Sequence, residues 1–168
     1  KIIKLLENIN IEFKLEQGND TVYLNGENVS KRIREADIAK IVSPIASIKE
    51  VRIKLNDIFK KVAQGKEVIM EGRDIGTYVF SNADVKIYLD ATPEERARRR
   101  LKQNEELGIK ETYEEILKNI KTRDSIDKGR EMGALKQAED AIYIDSSNMS
   151  IEEVVSEVAK IINNKRSK

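Results

Sequence analysis

The 168-residue sequence has no cysteine and no histidine. Without cysteine there is no disulfide, no thiolate metal site and no thiol nucleophile. Without histidine there is no Ser-His-Asp triad, no histidine general base and none of the common zinc sites. Any chemistry must run on Asp, Glu, Lys, Arg, Ser, Thr and Tyr. A surplus of one charge is lacking too: Lys+Arg 31 against Asp+Glu 30 leaves +1. No global field draws in nucleic acid, so an anion site has to be local. Aromatic residues are 5% of the chain and none is interleaved with the arginines at 96–100, which argues against an RNA or DNA surface. No apolar run approaches the roughly 20 residues of a membrane span. Neither nucleic acid nor a membrane is therefore an expected partner, and the expected location is cytoplasmic. No signal peptide is visible. The first residue is Lys1 rather than methionine, so the true amino terminus is expected upstream.

What is present is charge and pattern. Charged residues are 36% and hydrophobic residues 39%, enough in 168 residues for one charge-rich domain with a core. The stretch that organises the rest is VIMEGRDIGTYVF at 68–80. Val68 to Met70 read as a strand running into Glu71, Gly72, Arg73, Asp74 and Gly76. Open α/β sheets build ligand sites at such strand ends. The two glycines are expected to supply unusual backbone angles and close approach. The bland alternative is a polar loop after a strand.

The segments on either side have a readable order. Ile2 to Leu6 look like a helix tail. Alternation at Ile9, Ile11, Phe13 and Leu15, a turn at 17–20, a strand at 21–24 and Asn25-Gly26 predict a small antiparallel unit over 9–29. A short helix is expected over 32–42, broken by Ser43-Pro44. A long helix is expected over 45–62 with Gly65 as its cap. Further buried strands are expected at 85–89 and 141–144. Capping boxes are expected at Thr92/Glu95, Thr112/Glu115 and Ser150/Glu153, each opening a helix. Buried strands alternating with helices predict a mostly parallel sheet flanked by helices, with the hairpin as an insertion beside it.

Two arginine sets stand out. Arg96 and Arg100 are four apart and share a helix face; two guanidinium forks suit a polyphosphate, and a solvated basic face paired with Glu94, Glu95 and Glu105 is the alternative. Arg123, Asp127 and Arg130 also share a face. They form either an ion-pair ladder or a clamp in which Asp127 accepts from sugar hydroxyls and the arginines take a phosphate. With the GRD loop, these sets imply a site for more than one phosphate. Catalysis without histidine suits phosphoryl transfer, where positioning and charge stabilisation dominate.

Ser43 with Arg52 nine residues on, EGRDIGT at 71–77, VKIYLDATPEERARRR at 85–100, RDSIDKGR at 123–130 and AEDAIYIDSS at 138–147 together resemble the bacterial cytidylate kinases, within the nucleoside monophosphate kinase group. The resemblance spans essentially the whole chain. It implies an α/β fold of the P-loop NTPase-like kind and transfer of the ATP γ-phosphate to CMP or dCMP with Mg²⁺. It implies an acceptor-nucleotide region with the hairpin at residues 1–65. The rest of the core, 66–168, would carry a lid at about 96–130. By the same resemblance, Ser43, Arg52 and Asp74 would contact cytosine, Arg73 and Arg130 the acceptor phosphate, and Arg123 and Asp127 the sugar. Arg96 and Arg100 would close over the transferred group. Glu71 takes the place of an acid, usually aspartate, that orients the magnesium shell, here through a metal-bound water. One departure is large: no GxxxxGK[ST] loop occurs, although the family opens with a strand and such a loop. The chain is expected to be the carboxyl-terminal part of such a kinase, lacking the first strand and phosphate loop and inactive alone. The alternatives are a CMP-binding module without catalysis, or another nucleoside monophosphate kinase.

Overall fold

The computed structural model describes residues 2–167, except the side chains of Ala36, Ala39, Lys40 and Ser43. The chain divides into two compact units, Lys1–Glu71 and Gly72–Lys168.

The first unit contains helix α1 (Ile2–Leu6), strands β1 (Ile11–Glu16), β2 (Asn19–Leu24) and β3 (Glu27–Asn28), and helices α2 (Ala36–Ala46) and α3 (Lys49–Ala63). The strands form one antiparallel sheet in the order β1-β2-β3. Its two turns are Gln17-Gly18 and Asn25-Gly26, each with positive φ at both residues (51° and 77°; 51° and 84°). That is the turn whose twist matches a hairpin, and glycine makes its second position inexpensive. The helix over this region departs from expectation. Pro44 does not end it; α2 continues to Ala46. A proline in the last turn removes a bond only at the frayed end, where little is lost. The break falls at Ser47 and Ile48 instead. The Ser47 hydroxyl donates to the Pro44 carbonyl at 2.7 Å, and Ile48 is extended with ψ 119°.

The strand expected at 68–70 does not form. A strand persists only where a neighbour takes its backbone groups. The two ladders among the described residues, β1-β2-β3 and a parallel pair further on, do not include 68–70, and Ile69 is 94% exposed.

The second unit alternates strand and helix. A π-turn (Ile75–Val79) leads to β4 (Ile87–Asp90), α4 (Pro93–Glu106), α5 (Tyr113–Lys128), β5 (Ile142–Asp145) and α6 (Ile151–Arg166). Strands β4 and β5 pair in parallel, Ile87 with Ile142 through Asp90 with Asp145. This is the parallel sheet that the alternation predicts, though its strands are not fully buried. Ile144 is buried, while Leu89, Ile142 and Tyr143 are exposed. Helices α4 and α5 lie against each other, with Ala97 and Ile116 buried on them. Complete capping boxes open α5 at Thr112/Glu115 and α6 at Ser150/Glu153. At α4 only half of the box is made. Thr92 accepts from the Glu95 backbone at 3.2 Å, but the Glu95 carboxylate turns to Arg98 and Arg99.

Candidate functional site

The site is built on three elements of the second unit: the GRD segment before the π-turn, α4 and α5. The π-turn starts from Asp74, whose carbonyl accepts from Tyr78 N at 2.9 Å and Val79 N at 3.2 Å. The second of these spans five residues, the rare wide turn often found at functional sites. Neither Gly72 nor Gly76 has positive φ, so they do not serve backbone angle as expected. They serve space. A Cβ on Gly72 would stand 2.8 Å from Ile75 Cγ1, and one on Gly76 would touch the stem of Lys86 at 3.5 Å. That stem is held in turn: Lys86 Nζ donates to Asp140 Oδ2 at 2.7 Å and to the Ser81 carbonyl at 2.5 Å.

Asp127, on the last turn of α5, is 1% exposed. Three guanidinium groups converge on it: Arg130 Nη2 at 2.5 Å, Arg73 Nε at 3.3 Å and Arg123 Nε at 3.8 Å. The Asp127 oxygens have charge partners, yet among the described residues neither has a hydrogen-bond donor in good alignment. One turn earlier, Asp124 takes both ends of the Arg96 fork, at 3.1 Å and 2.5 Å, and stands 3.8 Å from Arg73 Nη1. Arg96 Nε is committed to the Ala91 carbonyl at 3.0 Å. Burial acts to raise the Asp124 carboxyl; the Arg96 hydrogen bonds and charge, with Arg73 beside them, outweigh it and hold the group below its ordinary range. The hydrogen bonds that Arg96 donates to Asp124 raise the Arg96 guanidinium correspondingly. Burial, then the charges of Asp90 and Asp124, push the nearby Tyr88 phenol up.

The structure thus brings together Arg73, Arg96, Arg123, Asp127 and Arg130. Asp74, next to Arg73 in sequence, is buried at the head of the π-turn. Arg100 is not in the cluster. It is exposed and donates to Gln103 Oε1 at 2.9 Å, one turn along its own helix. Ser43, Arg52 and Glu71 belong to the first unit. Ser43 lies in α2, with its side chain outside the described residues. Arg52, in α3, is buried and donates to the Ala46 carbonyl at 3.1 Å. Glu71 is exposed.

A family model described as Cytidylate kinase matches residues 1–164. The chain belongs to the cytidylate kinase family. It is similar to the Cytidylate kinase of Caldicellulosiruptor saccharolyticus, 46% identical over 161 residues, covering 96% of this chain and 71% of that protein. Similarity to the Cytidylate kinase of Fusobacterium nucleatum is 46% over 162 residues, covering 96% and 72%. For that of Clostridium acetobutylicum it is 46% over 165 residues, covering 98% and 74%.

Within this chain, the carboxylate that sequence reasoning misses is Asp124. The pattern drawn from RDSIDKGR steps from Arg123 to Asp127 to Arg130. Asp124 is three before Asp127 and so shares its face, a relation the spacing already contains. Arg99 is missed as well. It ties α4 to the end of β5 by donating to the Ser146 carbonyl at 2.5 Å.

Proposed function

We propose that the chain serves a (d)CMP kinase reaction, in which the γ-phosphoryl group of ATP moves to CMP or dCMP, and that its share is the acceptor side: the arginine–aspartate cluster of the second unit holds the acceptor nucleotide. Family membership supports the reaction class, a phosphotransferase. The observation that carries the site assignment is Asp127. A buried carboxylate ringed by Arg73, Arg123 and Arg130, with no aligned donor among the described residues, is ready to accept from a sugar hydroxyl while the arginines meet a phosphate.

In the reaction an oxygen of the acceptor phosphate forms the new bond to the γ-phosphorus. The bond from that phosphorus to the leaving ADP oxygen breaks, and its electron pair leaves with ADP. A phosphate acceptor is already anionic near neutral pH. No base has to remove a proton, which is compatible with a chain that lacks histidine. What the chain's residues supply is charge in fixed positions: Arg73 and Arg130 at the acceptor phosphate, Arg123 and Asp127 at the sugar, and Arg96 toward the transferred group.

Mg²⁺ accompanies ATP in such transfers. Among the described residues no three carboxylates, histidines or cysteines converge, and Glu71 is exposed. Mg²⁺ would be held chiefly by the nucleotide's phosphates, with Glu71 reaching it only through a metal-bound water.

Calorimetry with CMP, UMP and cytidine tests the reading. CMP should bind, and cytidine should bind far more weakly because it offers the arginines no phosphate. Equal binding of CMP and cytidine would sink the assignment.

Base choice is assigned to Asp74. An ionised carboxylate only accepts, so it suits the cytosine amino group and opposes the uracil carbonyl. A mismatched buried group costs about 1–3 kcal/mol, roughly 5- to 150-fold. Asp74→Asn can present either a carbonyl or an amino group. The expected result is that UMP gains relative to CMP. Equal loss toward both nucleotides would make Asp74 a structural residue.

Arg100 is assigned to the transferred phosphoryl group, away from the acceptor cluster. Arg100→Ala should therefore leave CMP affinity within about twofold and stability within about 0.5 kcal/mol, as exposed surface changes do. Weakened CMP binding in calorimetry would refute that placement.

A further inference from the structure

We propose that Asp124 is a resident counter-anion, which binds Arg96 and Arg73 together and gives them up when a phosphate arrives. The proposal deepens the functional reading above and rests on its assignment of both arginines to phosphate.

The geometry carries it. Asp124 meets Arg96 end to end, carboxylate fork to guanidinium fork, at 3.1 Å and 2.5 Å. That two-point contact is the one a phosphate makes with arginine. Nε is also committed, to the Ala91 carbonyl, so three of the five guanidinium N–H donors are taken. Arg96 therefore cannot present its Nη1–Nη2 edge to a phosphate while Asp124 holds it. The same carboxylate reaches Arg73 at 3.8 Å, so α4, α5 and the GRD segment meet at one negative charge. The side chains involved are part-buried, 28% exposed for Arg96 and 14% for Asp124, so the pair is screened less than a surface pair.

Charge counting explains what a phosphate would find. Four arginines, 73, 96, 123 and 130, face two aspartates, 124 and 127. The cluster keeps a surplus of two positive charges, which matches a phosphomonoester dianion. Asp127 is assigned to the sugar. Asp124 is the carboxylate whose contacts a phosphate can take over. A resident anion keeps the two arginines aligned and lowers apparent phosphate affinity by the fraction of sites it occupies.

The test compares the 168-residue chain with Asp124→Asn, using calorimetric titration of CMP, cytidine and inorganic pyrophosphate at low salt. Removing the competing charge should tighten CMP and pyrophosphate binding by roughly fivefold or more while cytidine changes by less than about twofold. A merely structural strut predicts the opposite: CMP and cytidine weaken together and phosphate gains nothing. That result, or unchanged CMP affinity, overturns the proposal. If the unaltered chain fails to bind CMP, the functional reading fails, and pyrophosphate still reports on Asp124 by itself. If Asp124→Asn does not fold, the arginine Nε–Hε resonances of the unaltered chain decide. Saturating CMP or pyrophosphate should shift Arg96, and cytidine should not. An Arg96 resonance indifferent to all three refutes the exchange.

Discussion

Replacing Asp127 with alanine is expected to destabilise the second unit by about 3–5 kcal/mol, the range for breaking a buried ion pair from one side. The cause is what stays behind. The Arg130 side chain is 8% exposed and has its closest carboxylate at 2.5 Å in Asp127. Arg73 and Arg123 lose the same partner. A desolvated guanidinium without its counter-charge is more costly than the pair was favourable. Asp127→Asn keeps the shape and removes the charge, so it should recover little. Arg123→Ala supplies the contrast. That side chain is 53% exposed and 3.8 Å from Asp127, so its loss should cost under about 1 kcal/mol. Urea denaturation monitored by circular dichroism reads all three as midpoint shifts at constant slope. An Asp127→Ala midpoint close to that of Arg123→Ala would show that the cluster is a solvated ladder and not a buried clamp.

The 168 residues expressed by themselves are expected to bind CMP yet to transfer phosphate at least about a hundredfold below the 1–100 s⁻¹ usual for kinases. Donor phosphates are normally cradled by backbone amides of a glycine-rich loop between a strand and a helix. The second unit has two strand-to-helix connections. Ala91-Thr92 joins β4 to α4, and residues 146–150 join β5 to α6; neither contains glycine. No GxxxxGK[ST] pattern occurs anywhere in the sequence. The proposed acceptor cluster has arginines for one nucleotide's phosphate, and among the described residues no glycine-rich strand-to-helix connection of the second unit stands ready for the donor's. An ADP-coupled assay with saturating CMP gives the answer. Turnover in the ordinary kinase range would mean that another part of the chain positions the donor.

Features coded by neighbouring residues are legible in the sequence. Asn25-Gly26 states its turn in two letters. Thr112 with Glu115 and Ser150 with Glu153 each state a helix start in four, and both boxes are made in the structure. The parallel arrangement of β4 and β5 agrees with strand–helix alternation. Features that depend on a distant partner are not legible. Residues 68–70 have the composition of a strand, but composition does not supply a neighbour. Pro44 reads as a break only when its cost is counted without its position in the last turn. The site divides the same way. Arg123 and Asp127 can be grouped by helical spacing, whereas Arg130 lies past the end of α5 and meets Asp127 from beyond the cap, and Arg73 joins them in space. Arg96 and Arg100 share spacing and arginine chemistry, yet one is locked to Asp124 and the other is exposed. Their difference depends on α5, which no reading of α4 alone contains.

The wide turn after Asp74 makes chain length itself an inherited quantity. Val79 N reaches back to Asp74 and Phe80 N to Ile75, at 3.2 Å and 2.7 Å. Each loop so closed holds one residue more than an α-turn. Losing any residue between would tighten the spiral and swing the downstream chain by about 100°. Buried Val79 would then turn outward and the carboxylate of Asp74 would turn away from its present direction. Point substitutions can be absorbed here by small shifts, but a deletion or insertion cannot. Lineages descended from this gene are free to vary the letters of the segment long before they can vary its count, and their gaps should gather at surface turns such as Gln17-Gly18, where an extra residue displaces only water.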